Sequence, residues 1–218
     1  MERFYLEIPS IERKNEIIDY INELVLYNSD INGIEILAKI LDGYTFEQAL
    51  EYCLNLGNKE YAKKVGKCQV RTFLLIREND NRVVGALNIR LSLSGKMKKF
   101  DGNIGYGIRP TERKKGYNKI NLYLGLIEAQ KNNINNVKLV CEASNLGSVK
   151  TIEALGGILE QTDIDPYDGV LTRVYWFNVN ETIDKYKEMF KYLGILVISA
   201  IIGIIAFPFS IDHMTRSD

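Results

Sequence analysis

The residues best suited to chemistry lie together in one stretch, Ile104-Gly-Tyr-Gly-Ile-Arg-Pro-Thr-Glu-Arg-Lys-Lys-Gly-Tyr-Asn118. The pattern predicts a short strand, a turn, a basic loop containing a glycine, and an amphipathic helix that begins near Tyr117. That order makes an anion site, because free backbone N–H groups and the positive end of a helix dipole point at one spot. Arg113, Lys114 and Lys115 add charge, and Gly116 lets a phosphate approach the backbone closely. A diphosphate is the natural guest. The spacing excludes two common nucleotide loops. A Walker loop needs a second glycine followed by Lys-Ser or Lys-Thr, and a dinucleotide fingerprint needs its glycines after the strand, whereas Gly105 and Gly107 lie within it. Arg-Lys-Lys-Gly taken alone fits a solvated basic turn equally well.

The flanking residues add the pattern Ile-x-Pro-x-x-Arg-x-x-Gly-x-Asn, from Ile108 to Asn118. It resembles the acyl-CoA-binding loop of the GNAT superfamily of N-acyltransferases, Val-x-Pro-x-x-Arg/Gln-x-x-Gly-x-Gly/Ala. Asn118 departs from that form, standing where Gly or Ala is usual. A second match follows downstream. Val137-Lys-Leu-Val-Cys141 has the apolar, β-branched character of a buried strand, and Asn145-Leu-Gly-Ser148 opens a helix that runs to about Leu155 and stops at Gly156-Gly157. Asn145 is a good N-cap on local grounds. The resemblance adds a second role, in which Asn145 and Ser148 contact the pantetheine and diphosphate side of the cofactor. Many relatives carry a tyrosine seven residues after that asparagine as general acid, and here the position is Ile152.

Gly102-Asn-Ile-Gly-Tyr-Gly-Ile-Arg-Pro110, Cys141 and Glu153-Ala-Leu-Gly-Gly157 are similar to one branch of that superfamily, bacterial predicted acetyltransferases. Val84 to Arg90 and Arg173 to Phe177 share the likeness, which covers roughly residues 4 to 178. The resemblance implies an α/β (α+β) fold with a mixed central sheet and helices on both faces. It implies acetyl-CoA as co-substrate and direct attack by a primary amine, without a covalent enzyme intermediate or a metal. Cofactor contacts would come from Ile108, Arg113, Lys114, Lys115, Gly116, Tyr117, Asn118, Asn145 and Ser148. The Ile108 N–H would polarise the thioester carbonyl. Glu142 or an ordered water chain would act as base, and Tyr106 or Cys141 would protonate the leaving thiolate. Glu142 and Tyr106 also suit plain roles as a strand-end polar residue and a core aromatic. Asn118 and Ile152 leave open an alternative, a membrane-tethered CoA-binding sensor or interaction module that keeps the fold without transfer.

Composition narrows the field further. The 218 residues are 46% hydrophobic, enough for one proper core. Lys+Arg and Asp+Glu both total 28, a balance that argues against a nucleic-acid partner. Instead, basic residues cluster between Arg109 and Lys119, where a local anion is expected. Cys53, Cys68 and Cys141 have neither disulfide-framework nor zinc spacing, which suits a reducing compartment. The only histidine, His213, falls near the C-terminus, so a Ser-His-Asp or Cys-His nucleophile system is not expected.

The elements that must position these residues follow from periodicity. A strand is expected over Phe4 to Ile8, a helix from Pro9-Ser10, and one or two short helices ending near Leu56, with Thr45 as a start signal. Val70 to Arg77 and Arg82 to Leu91 form a hairpin. Ser92 to Asp101 and Thr162 to Gly169 are polar loops that would shape the acceptor site, and a last strand spans about Leu171 to Val179. The layout places an acyltransferase domain at 1–180, a linker or juxtamembrane helix at 181–191, a membrane-spanning helix at 192–211 and a polar tail at 212–218. Tyr192 to Ile211 is 20 residues without a charge, about 30 Å as a helix, close to one hydrocarbon thickness. Lys185, Lys187 and Lys191 precede it, so the positive-inside bias keeps the domain cytoplasmic. Burial of this tail in an oligomer interface is the alternative.

Overall fold

The computed structural model describes residues 2–93, 101–166 and 168–191. The predicted span 192–211, His213 and most of the Ser92 to Asp101 loop lie outside the described residues. The chain begins with strand β1 (Phe4–Glu7) and helix α1 (Lys14–Leu26), the latter entered through a 3-10 turn. Another 3-10 turn (Leu37–Asp42) leads to α2 (Phe46–Leu56) and α3 (Lys59–Lys64). Thr45 starts α2 with a capping box: its hydroxyl accepts from Gln48 N–H at 3.2 Å, and its own N–H donates to the Gln48 side chain at 2.9 Å. The hairpin is β2 (Val70–Arg77) and β3 (Arg82–Arg90), followed by β4 (Ile104–Ile108), α4 (Tyr117–Lys131), β5 (Asn136–Glu142) and α5 (Leu146–Ala154). Strands β6 (Ile158–Ile164) and β7 (Leu171–Asn178) and helix α6 (Val179–Lys191) complete the described chain.

Among the described residues, seven strands form two antiparallel sheets, β1-β2-β3-β4 and β5-β7-β6. Helices cover both faces, because the strands carry apolar side chains on both. Strand β3 shows this directly: its interior is buried from end to end. On one face, Ile17, Tyr20, Ile21 and Leu24 of α1 and Phe46, Leu50 and Cys53 of α2 pack on Leu74, Ile76, Val83 and Ala86. On the other, α4 lays Ile120, Leu122, Tyr123, Leu124 and Leu126 on Phe73, Leu75, Leu87 and Ile104. Burial of such side chains contributes about 1.5–3 kcal/mol each.

One element differs from the expected layout. Strand β6 takes in Thr162, Asp163 and Ile164, so the expected polar loop begins later. Its residues are almost all exposed, which erases the in–out alternation that marks a strand in sequence. Residues 181–191 belong to α6, whose Phe190 stacks on Tyr123 of α4 at 4.1 Å. The Tyr123 hydroxyl donates to Ile183 O at 3.2 Å, which ties the same two helices. No described helix is long and apolar enough to cross a membrane.

Candidate active site

The site follows from which way two strands turn their backbone groups. Arg109 N–H donates to Val84 O at 2.9 Å and Arg90 N–H to Asn103 O at 2.7 Å, both in the register that pairs Gly85 with Ile108. Alternate residues of an antiparallel strand turn their backbone groups to alternate sides. Gly105 and Gly107 therefore bond to β3, while Ile104, Tyr106 and Ile108 present their N–H and C=O groups to the far edge. In β5 the bonds Val179 N–H to Asn135 O and Ala143 N–H to Leu171 O set the phase against β7. Lys138, Val140 and Glu142 thus face β4.

These two edges join at one end. Asn103 donates its N–H to Lys138 O at 2.7 Å and accepts Lys138 N–H on its side-chain oxygen at 2.9 Å. Its side-chain amide also donates to Arg90 O at 3.1 Å. A Cβ on the preceding Gly102 would lie 2.9 Å from Lys138 O, so only glycine permits that approach. Beyond this pin β4 and β5 are not paired and belong to separate sheets. The result is a cleft whose walls carry strand-edge groups of Tyr106 and Ile108 on one side and of Val140 and Glu142 on the other. An extended molecule bearing amides can hydrogen-bond there as a short extra strand.

Strand β4 runs through the Pro110–Glu112 turn to the start of α4. Gly116 is the N-cap residue with φ +86°, and no side chain caps this helix. Lys114 also has positive φ, +64°. Left-handed residues beside a helix start turn successive N–H groups toward one point, a nest for an anion. A Cβ added at Gly116 would meet nothing within 4 Å, so the backbone is open to a guest.

The basic residues around this nest divide their work in a way their types do not reveal. Arg109 is 1% exposed, donates to Val83 O, and pairs with Asp19 at 2.6 Å and Glu23 at 2.9 Å. Its charge is spent inside the fold, which corrects its place in the anion-facing cluster. Lys115 pairs with the buried Glu112 at 2.7 Å, and Glu112 also holds Arg77 at 2.8 Å and Arg82 at 3.3 Å. Burial pushes the Glu112 carboxyl up, but hydrogen bonds from Lys115 and Arg77 outweigh it and leave the group below its ordinary value. Arg113 uses its Nε to donate to Ile108 O at 3.1 Å, tying the loop to the end of β4. Lys114 is exposed. Tyr117 is buried against Phe4, and its hydroxyl donates to Glu2 at 2.7 Å.

Asn118 is half-buried on the side of α4 that meets α5, its amide 3.5 Å from Thr151 Oγ1. Asn145 accepts Ser148 N–H at 3.0 Å and so caps α5. The Ser148 hydroxyl is 2.7 Å from the Tyr106 hydroxyl and also hydrogen-bonds Cys141, which joins the two candidate proton donors through one serine. Burial raises both their pKa values, with the Ser148 contacts opposing it. Each therefore holds its proton at neutral pH. Ile152 is fully buried in the core. Glu142 is set apart from this trio: its carboxylate accepts from Ser144 Oγ at 3.1 Å at the exposed end of β5. The sequence pattern passed over Asn103, the pin of the cleft, and Glu112, the anchor of three cations. The contacts that give them these roles are long-range: Arg77 to Glu112 and Lys138 to Asn103 each span 35 residues of sequence. Among the described residues no group of metal-ligating side chains converges.

No family model and no curated protein matches the chain. Solved structures do. A ribosomal-protein alpha-N-acetyltransferase in complex with coenzyme A is 13% identical, with a TM-score of 0.56 over 79% of this chain and 92% of that one. A microcin self-immunity acetyltransferase in complex with acetyl-CoA and AMP is 14% identical, with a TM-score of 0.55 over 79% and 91%. An acetyltransferase of the GNAT family from Streptococcus pneumoniae is 15% identical, with a TM-score of 0.52 over 80% and 98%. The chain has the fold of the GNAT N-acetyltransferases.

Proposed function

We propose that this protein is an acyl-CoA-dependent N-acetyltransferase that moves an acetyl group from acetyl-CoA to a primary amine within a ternary complex. The observation that carries this reading is the cleft between β4 and β5, together with the uncapped start of α4 that follows β4 in the chain. Its unpaired strand edges suit the two amides of a pantetheine arm, and the nest at Lys114 to Asn118 suits a diphosphate. Two proteins of the same fold hold coenzyme A or acetyl-CoA.

In this reading acetyl-CoA supplies the activated acyl group as a thioester. The backbone N–H groups of Tyr106 and Ile108 hold the arm along β4, and the Ile108 N–H is placed to stabilise negative charge on the carbonyl oxygen. The N–H groups at the start of α4 take the diphosphate, and Arg113 holds the loop in place through Ile108 O. The hydroxyl of Tyr106, kept protonated by burial and oriented by Ser148, would protonate the leaving thiolate, with Cys141 as the second candidate. Tyr106→Phe is expected to lower kcat about 10–100-fold and to leave acetyl-CoA affinity within a few-fold. Unchanged kcat would remove Tyr106 from the mechanism.

Calorimetry with acetyl-CoA tests the cofactor half, and thiol release across a panel of amines tests transfer. Absence of acetyl-CoA binding refutes the enzyme reading. Binding without turnover on any amine favours the tethered CoA-binding module, the reading to which the buried Ile152 points. The 20 uncharged residues from Tyr192 further support anchoring of a cytoplasmic domain to a membrane. Truncation after Lys191 is then expected to move the protein from the membrane to the soluble fraction. Full-length protein that stays soluble without detergent rejects the anchor in favour of burial in an oligomer.

A further inference from the structure

Helix α6 runs antiparallel along α4, and that packing brings two distant stretches of sequence together. At its start, Asn180 accepts the side-chain amide of Gln130, near the end of α4, at 2.7 Å. Val179 N–H donates to Asn135 O just beyond that end, at 2.9 Å. At the other end Phe190 stacks on Tyr123, and Met189 and Phe190 meet the first turn of α4 around a cavity of about 280 Å³. The described chain therefore ends, at Lys191, beside the loop that opens α4. Asn118 is not among the walls of this cavity; it turns toward α5 instead.

The cavity has two kinds of wall. Phe4, Ile120, Met189 and Phe190 make one apolar, and Met189 is 44% exposed, a large apolar side chain open to water. Lys115 and Lys119 make the other cationic. Lys115 is paired to Glu112, whereas Lys119 is exposed and its ammonium group has no ion pair among the described residues. The one carboxylate at the cavity, Glu2, accepts the Tyr117 hydroxyl. Around it Lys114 is exposed on the loop, and Lys187 and Lys191 are exposed on α6, where their pairs with Asp184 and Glu188 are too open to water to hold them. From Tyr192 the sequence continues into 20 residues without a charge. Lysines framing an apolar wall beside such an exit match a bilayer surface: apolar side chains reach the acyl boundary while ammonium groups stay at the level of the phosphates.

We infer that the cavity between the start of α4 and the end of α6 takes the headgroup of an anionic phospholipid, with Lys119 on its phosphate and Met189 at the acyl boundary. The loop that opens α4 then faces the bilayer surface. This inference goes beyond the transfer reaction and does not depend on it. An uncharged tail alone would tether the domain in any orientation, whereas this contact sets one. A free phosphate would use the lysines and leave the apolar wall without a partner, which is why the lipid fits better.

The test is calorimetric titration of the full chain, in nonionic detergent, with dihexanoyl phosphatidylglycerol, dihexanoyl phosphatidylcholine and inorganic phosphate, each with and without saturating acetyl-CoA. The wild type is expected to bind the anionic lipid more tightly than the zwitterionic lipid or phosphate, whether or not acetyl-CoA is present. Lys119→Gln is expected to weaken the anionic lipid by about tenfold or more, the loss of one charge-assisted contact. Met189→Ser is expected to weaken the lipid a few-fold and to leave the response to inorganic phosphate unchanged. Both side chains are exposed, so neither change removes a core contact. Equal affinity for the two lipids, or an unchanged affinity for the anionic lipid in Lys119→Gln, overturns the assignment. Phosphate bound as tightly as the lipid also overturns it, in favour of a free anion. So does displacement of the lipid by acetyl-CoA, which would put the headgroup in the nest of α4 and not in this cavity. Failure of acetyl-CoA binding refutes the transfer reading alone, and the titrations without cofactor then still decide the lipid site.

Discussion

A glutamate at position 116 separates a phosphate cradle from a basic turn. Gly116 has φ +86° and open space where a Cβ would go. Gly116→Glu therefore costs about 1 kcal/mol of left-handed strain. A carboxylate at a helix start returns about 0.3–1 kcal/mol, so net stability should move by no more than about 1 kcal/mol. Binding should respond far more. A carboxylate about 6 Å from one phosphate charge costs about 3 kcal/mol at an effective dielectric of about 20. Salt reduces this and the second phosphate adds to it, which leaves a net loss of about 2–4 kcal/mol. Acetyl-CoA affinity should then fall about 30- to 1000-fold. Gly116→Ala introduces the strain without the charge and is expected to retain affinity within a few-fold. Calorimetric titration of the three proteins, with urea denaturation to check folding, measures both quantities. Equal affinity of wild type and a folded Gly116→Glu would show that no diphosphate rests on this helix start.

Three further outcomes follow from buried polar contacts. Glu112→Gln leaves Arg77, Arg82 and Lys115 without their shared carboxylate and is expected to cost about 3–5 kcal/mol in urea denaturation. The carboxyl of Glu112 is held below its ordinary value of 4.5. Its contribution is therefore complete above about pH 5 and lost as pH falls through the lower folded value, so wild type should lose stability in acid more steeply than the variant. Asn103→Ala removes the side-chain bonds to Lys138 N–H and Arg90 O, at about 2–4 kcal/mol in total. It should weaken acetyl-CoA binding as well, because the same bonds set the angle of the cleft. Arg109→Met should lower stability by about 3–5 kcal/mol while the folded protein binds acetyl-CoA within a few-fold of wild type. A large, selective loss of binding would show that Arg109 reaches the anion after all.

Local rules made much of the site legible. The order strand, turn, glycine loop, helix needs only neighbours in sequence, so Ile104 to Asn118 and the Asn145 cap of α5 lie where their spacing predicts. The hairpin and the Thr45 start of α2 were readable for the same reason. Strand β6 was not, because an exposed edge strand carries no apolar alternation. Charge was the least legible property. Arg109, Arg113, Lys114 and Lys115 look alike as a basic run, yet one is buried on α1, one anchors a carbonyl, one is exposed and one is paired to Glu112.

The sequence by itself determined where a glycine loop opens α4 and which strand and turn precede it, since φ preference, capping and periodicity act within a few residues. Only the tertiary structure decided that β4 and β5 part beyond Asn103, and that the end of α6 meets the start of α4. The physical reason is range. A backbone conformation is selected by its neighbours, whereas a cleft and its charges depend on which distant surfaces the core brings into register.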